Sequence, residues 1–286
     1  MSKASNQRSG KQRANSQRAA STRREQLRAQ QLAEAKKRQR TMRIFTVLGA
    51  VVALAVIAIV AVVVVNDRNA KKEQAAQEAA SQITPPSALA DGTGYAWKVG
   101  NPAADAPTIT IYEDFQCPAC KSTEEYFGPT LAKLAEDGKI KVEYRILTFM
   151  DTNLRNDSSE RSARAAACAD VSGKFKEYHD VVYKNQPQGE GSGYTDQQLR
   201  VDFPAAAGIT GDDLTKFQSC YDSKSTSQWV REAFQKGSAG WEGSTPQINI
   251  NGKNPQVKNS QDQDTDWWRV LEPTEESWLK AIADHG

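Results

Sequence analysis

From Ile44 to Val65 the chain runs as IFTVLGAVVALAVIAIVAVVVV, 22 residues without a charge. As a helix at about 1.5 Å per residue this stretch would be about 33 Å long, enough to span a hydrocarbon core of about 30 Å. A buried core helix is normally shorter and flanked by amphipathic partners, and the apolar region of a cleavable signal is about 7–15 residues. The sequence that follows, NDRNAKKEQ, offers no small-residue cleavage site. The pattern predicts an uncleaved transmembrane helix.

Beyond the span the period changes. NDRNAKKEQAAQEAASQ is polar and Ala-rich, with good helix propensity, and Pro85 and Pro86 end it, so residues 66–94 read as a stalk. From residue 95 to 286 apolar and aromatic residues are spread without a low-complexity run, as in one domain of ordinary size. There YAWKV predicts a short strand and TITIYEDF a buried, β-branched one. PACKSTEEYFGPTLAKLAEDG predicts a helix with a kink at Gly128-Pro129 and a stop at Gly138. KIKVEYRILTF returns as a strand, completing a βαβ unit. Residues 151–240 are helical in pattern almost throughout and predict an inserted helical subdomain. STPQINING returns to strand, Asn251-Gly252 turns, and TEESWLKAIADH closes as a helix.

The net charge of +2 conceals an asymmetry. Residues 1–43 hold thirteen Lys or Arg against Glu25 and Glu34, or +11, whereas the remainder holds 24 basic and 33 acidic residues, or −9. Lys36, Lys37, Arg38, Arg40 and Arg43 abut the span, and by the positive-inside rule the tail stays in the cytoplasm with residues 66–286 outside. The tail is rich in Gln, Arg, Ser and Ala, with almost no large apolar residue, and is expected to be disordered. It has no aromatic or fold signature for a specific nucleic acid; attraction to anionic lipid of the bilayer's inner leaflet accounts for the charge as well.

Chemistry enters with CPAC at residues 117–120. A zinc or iron-sulfur site needs further ligands at matching spacing, but Cys168, Cys220, His179 and His285 are each isolated, so no metal is expected. As a structural staple, so short a loop would remove little unfolded-state entropy. A redox pair gives each residue a reason. With Cys117 at the N-cap, Pro118 falls at N1, where its missing N–H costs nothing, and Cys120 at N3, within bridging reach. The free N–H groups and positive end of the helix would stabilise a Cys117 thiolate. Cys120, one turn in, is shielded and fits a resolving role; no cofactor is needed.

VGNPAADAPTITIYEDFQCPAC, followed by KIKVEYRILTF, a helical insertion and STPQINING, resembles the DsbA-like branch of the thioredoxin-fold thiol-disulfide oxidoreductases, in its membrane-anchored actinobacterial form. The resemblance covers about residues 95–286. It implies an α/β thioredoxin fold with an inserted helical subdomain, preceded by a single transmembrane helix. Cys117 would be the nucleophile and Cys120 its buried partner, with Pro118, Ala119 and Asp114 supporting the motif. Thr245-Pro246 matches the family's cis-proline loop, whose backbone would lie opposite CPAC and pair with a substrate strand.

Two positions depart from the family pattern. Ile111 stands where thioredoxins carry a buried carboxylate, and Glu113 and Asp114 lie nearer the motif; for both, a role in proton transfer and a solvated strand end remain alternatives. Ala119 stands where the best-known members place His, which removes one source of thiolate stabilisation. Cys168 and Cys220 lie in two helical segments of the insertion and are expected to be bridged, as in some members of the subgroup. An extracytoplasmic compartment favours the bridge, and closing a loop of about 50 residues is worth roughly 3–4 kcal/mol in the chain-entropy model. His179 reads as a packed helix residue rather than a catalytic base, and Trp241, Trp267 and Trp268 as core or lid residues rather than the lining of a substrate groove.

The function implied is that of an oxidase, which donates its Cys117-Cys120 disulfide to exported cysteine-containing polypeptides and is reoxidised by a membrane quinone-linked partner of the DsbB or VKOR type. A reductase or isomerase is one alternative, although isomerases of the superfamily generally bring a dimerisation module. A non-catalytic, membrane-tethered binder of unfolded chains is another, and the reactivity of Cys117 separates it from an enzyme.

Overall fold

The computed structural model describes residues 36–69, 72 and 82–286, which fall in two units divided after Glu73. In the first unit α1 (Lys36–Asn69) is one helix of 34 residues, long and apolar enough to cross a membrane, with its side chains exposed throughout. Its described part takes in the eight residues before the apolar run, where Lys, Arg, Gln and Met are good helix formers that carry the helix out of the apolar segment. The basic tail before Lys36 and residues 70, 71 and 73–81 of the expected stalk lie outside the described residues.

Residues 82–94, expected as stalk, instead belong to the second unit. The Ile83 amide donates to the Ser225 carbonyl at 2.8 Å, and both the amide and the hydroxyl of Ser87 donate to Asp170. Pro85 is buried, so the Pro-Pro pair stiffens a segment that docks on the domain.

The second unit is built on a four-stranded sheet in the order β1-β3-β2-β4, formed by β1 (Tyr95–Trp97), β2 (Thr108–Glu113), β3 (Lys141–Ile146) and β4 (Gln247–Ile250). β2 and β3 pair in parallel, with Ile109 opposite Val142 and Glu113 opposite Ile146, and α2 (Pro118–Glu136) is their crossover. β4 runs antiparallel to β2, with Ile111 opposite Ile248, and β1 antiparallel to β3. Five consecutive residues of β2, Ile109 to Glu113, are buried, the signature of a central strand covered on both faces. Ile109, Ile111, Leu131, Leu134, Trp267 and Trp278 are among the core residues. α2 continues through Pro129 as one element and stops at Gly138, which takes a left-handed φ of 69°.

Between β3 and β4 the chain makes the helical insertion, α3 (Met150–Leu154), α4 (Ser158–Val171), α5 (Phe175–Lys184), α6 (Phe203–Ala206), α7 (Gly211–Asp222) and α8 (Ser227–Gly237). The stretch TDQQLRVDFPAAAGI, expected as one helix, is a π-helical turn at Gln198–Asp202 feeding the short α6. Pro204 has no N–H for a regular helical bond, and the wider turn absorbs the defect. After β4 a polar hairpin of two three-residue strands, Gln256–Lys258 and Asp264–Asp266, precedes α9 (Glu275–His285). Strands so short and polar carry no readable period. The Thr274 hydroxyl caps α9, accepting from the Ser277 amide.

Candidate active site

At the end of β2 the chain turns through Asp114–Gln116 and enters α2 at CPAC. Cys117 is the N-cap, with extended φ of −79° and ψ of 116°, and Pro118 is the first helical residue. The approach is held from several sides. The Cys117 amide donates to the Asp114 carbonyl at 2.9 Å, and Gln186 Nε2 donates to the carbonyls of Phe115 at 2.8 Å and Cys117 at 3.1 Å. The Tyr194 hydroxyl donates to the Phe115 carbonyl at 2.8 Å. Gln186 and Tyr194 come from the insertion, so the insertion fixes the backbone that presents the dithiol.

Both cysteines are thiols, 7% exposed at Cys117 and 1% at Cys120. The Thr245-Pro246 peptide is cis, and the Thr245 carbonyl lies 3.6 Å from Cys117 Sγ. The structure thus brings Cys117, Cys120, Thr245 and Pro246 together, while Pro118 and Ala119 are exposed on the first turn of α2. Cys117 is lowered to about 6, first by the hydrogen bond from the Cys120 thiol, which outweighs burial, and further by Thr245 and by the Cys120 and Ala119 amides. Burial pushes Cys120 up, and the Cys117 and Glu113 charges push it further. Even with Ala in place of His at 119, the Cys120 thiol and the first-turn amides hold Cys117 down while burial holds Cys120 up.

Glu113 and Asp114 are 1% and 0% exposed, so neither is a solvated strand end. Strand alternation sends them to opposite sides. Asp114 accepts from the Ser159 hydroxyl at 2.6 Å, the Gln116 amide at 2.9 Å and the Met150 amide at 3.2 Å. It is raised to about 7, chiefly by burial, against those hydrogen bonds. Glu113 faces α5, where its Oε1 is 2.5 Å from His179 Nε2. After Cys117, Glu113 is the charge that acts on Cys120.

His179 is indeed packed, among the rings of Phe115, Tyr144, Phe175 and Tyr183; what sequence reasoning missed is its bond to Glu113. The two stand 66 residues apart, and no local pattern could join them. Glu113, Glu124 and His179 are also the described residues that gather three metal-capable donors, all within 4.8 Å. The 2.5 Å Glu113–His179 separation is that of a shared hydrogen bond; two donors on one tetrahedral ion stand about 3.3 Å apart, given metal bonds near 2.0 Å.

Cys168 and Cys220 are joined across α4 and α7, with Cα atoms 5.8 Å apart and both residues buried. Trp267 and Trp268 are core residues. Trp241 instead packs on Phe149, with ring centroids 4.7 Å apart, and donates to the Ser244 carbonyl at 2.7 Å, which braces the loop carrying Thr245.

A parallel β-α-β unit with a dithiol at the helix N-terminus and a cis-proline loop against it defines a thioredoxin-type domain. Residues 92–267 match the thioredoxin family model, and the chain belongs to that family. Among solved structures it is similar to the MdbA protein of Corynebacterium diphtheriae, a thiol-disulfide oxidoreductase, at 26% identity and TM-score 0.51, over 62% of this chain and 89% of that one. The MdbA protein of Corynebacterium matruchotii matches at 23% identity and TM-score 0.50, over 66% and 95% of the two chains. That of Actinomyces oris matches at 18% and 0.51, over 68% and 88%; these last two speak to the fold. No curated protein sequence matches the chain.

Proposed function

We propose that this protein is a membrane-anchored thiol-disulfide oxidoreductase that works outside the cytoplasm as an oxidase, giving its Cys117-Cys120 disulfide to exported polypeptides with cysteines. The observation that carries the reading is the pairing of a Cys117 sulfur at the N-cap of α2, 3.6 Å from the Thr245 carbonyl, with a Cys120 that is almost wholly buried. What access a substrate has to the pair is through Cys117, at 7% exposure against 1% for Cys120. The likeness to a thiol-disulfide oxidoreductase at 26% identity supports the same reaction.

A substrate thiolate attacks Cys117 Sγ of the disulfide, the Cys117–Cys120 bond breaks, and Cys120 leaves as a thiolate that takes up a proton. A second substrate thiolate then attacks the substrate sulfur of the mixed disulfide, and Cys117 leaves. Two electrons have passed from substrate to the CPAC pair. The Thr245 backbone is available beside Cys117 to pair with an extended substrate. A DsbB- or VKOR-like quinone reductase in the same membrane would return the pair to the disulfide.

The lowered Cys117 thiol supports the oxidising direction. Groups that stabilise its thiolate stabilise the reduced protein, because the disulfide carries no such charge, and the disulfide is then readily passed on. The CPAC-reduced protein should therefore melt at a higher temperature than the CPAC-oxidised one with Cys168-Cys220 intact in both. An oxidised form that melts higher would mean a reductase.

A further inference from the structure

Cys120 is 1% exposed, so whenever it gains or loses a proton, that proton travels through protein. A polypeptide bonded to Cys117 and seated against Thr245 would close the face on which the dithiol opens. His179 links the interior to another face. Its Nε2 meets Glu113, whose charge acts on Cys120, at 2.5 Å, and its Nδ1 meets Asp180 at 3.0 Å. The His179 and Glu113 side chains are sealed from solvent, whereas that of Asp180 is 54% exposed. Asp180 lines a groove of about 350 Å³ between α2 and α5, with Glu124, Pro129, Lys176 and Tyr183.

We propose that His179 is a proton bridge through the wall of the domain, carrying protons between Glu113 and the surface carboxylate Asp180 so that Cys120 can titrate while a substrate covers Cys117. The proposal rests on the roles of Cys117 and Cys120 in the function given above.

In the resolving direction Cys120 gives its proton to Glu113 and its sulfur attacks Cys117 Sγ. The Cys117–substrate bond breaks, and the substrate leaves as a thiolate. His179, charged and so carrying a proton on both ring nitrogens, releases its Nδ1 proton to Asp180 and stays bonded through Nε2–H to the now protonated Glu113, so that one proton enters the pair as another leaves it. In the oxidising direction every transfer reverses, and the Cys120 thiolate is refilled from behind.

The surrounding groups fit this task. On α5, Lys176 pairs with Asp180 and lies 3.9 Å from Glu124 of α2, so the mouth holds charges of both signs. The Tyr183 hydroxyl is buried with no hydrogen-bond partner among the described residues, and it feels the charges of Glu113, Cys120 and Glu124. Tyr144 of β3 closes the ring around the imidazole. Burial alone would lower His179, but Glu113, Asp180 and Glu124 outweigh it and raise it to about 9, so the bridge is charged at neutral pH.

The test uses the full-length protein in detergent and a fluorescent cysteine peptide activated as its mixed disulfide with thionitrobenzoate. Release of thionitrobenzoate reports attack by Cys117; release of the peptide, read by anisotropy, reports attack by Cys120. In His179→Gln, whose amide can bond Glu113 but cannot relay a proton, the first step should keep its rate and pH profile. The second should slow at least tenfold. The surface variant Asp180→Asn should slow only the second step, and Asp180→Glu should restore it. Equal slowing of both steps in His179→Gln, or peptide release at the wild-type rate in either His179→Gln or Asp180→Asn, would overturn the bridge. So would uptake of one zinc ion by the wild type that His179→Gln abolishes, which would make the cluster a metal centre. A wild type that forms the mixed disulfide but never releases peptide would instead count against the function itself.

Discussion

Two cysteines three positions apart differ here because one caps a helix and the other lies a turn inside it. Cys117 is lowered to about 6, whereas Cys120 is raised by burial, so only Cys117 is a thiolate at neutral pH. Cys120→Ser should therefore accumulate mixed disulfides between Cys117 and exported proteins, visible on non-reducing gels, and Cys117→Ser should accumulate none; equal trapping by both would reverse the roles. Asp114 makes a separate prediction. Its carboxyl is raised from 3.8 to about 7, chiefly by burial, so between those values the folded protein holds a proton that the unfolded chain has lost. Stability from this group therefore falls as the pH climbs from about 4 to about 7. Asp114→Asn, which keeps an acceptor but cannot ionise, should lose less stability than the wild type between pH 5 and pH 8 in thermal melts. Identical pH dependence in the two proteins would show that Asp114 does not titrate as its burial requires.

At the scale of elements, the insertion is tied to itself and to the active-site loop by different means. Gln186 and Tyr194 reach the loop carbonyls, and Cys168–Cys220 closes a separation of 52 residues between α4 and α7. Replacing both bridge cysteines by Ser should cost roughly 3–4 kcal/mol in denaturant unfolding on the chain-entropy account; a loss under about 1 kcal/mol would mean that packing of Ala165–Ala169 against its neighbours already holds α4 in place. Much of this architecture was legible. β2, α2 and β3 follow from a β-branched run, a Pro at N1 and a Gly stop, all local signals with one physical reading. The Pro204 π-turn and the polar hairpin were not legible, because one depends on how a helix defect is absorbed and the other on strands too short to show a period. Within the site, CPAC and Thr245-Pro246 were legible as motifs. The partition of Glu113 and Asp114 was not, since what distinguishes them is what faces each side of β2: His179 in α5 on one side, Ser159 and the start of α3 on the other.

For the whole molecule the governing feature is the split of charge about one apolar segment, +11 before residue 44 and −9 after it. α1 carries Lys36, Lys37, Arg38, Arg40 and Arg43 on its first two turns, and moving such a cluster across a membrane is opposed by both the low dielectric and the anionic inner leaflet. The acidic remainder faces no such barrier to export. An oxidase needs this orientation, because a dithiol on the cytoplasmic side would meet a reducing thiol pool and few stable disulfides. Protease added to right-side-out vesicles should thus remove the domain beyond residue 66 and leave a protected fragment that contains the N-terminal tail and the span. Reversing the sign of the five cations next to the span should weaken or invert that protection pattern and, with it, lower the fraction of Cys117-Cys120 found oxidised in cells. A tail digested from outside in the wild type, or a mature chain beginning after Val65, would dispose of the anchor and leave the domain to act unattached.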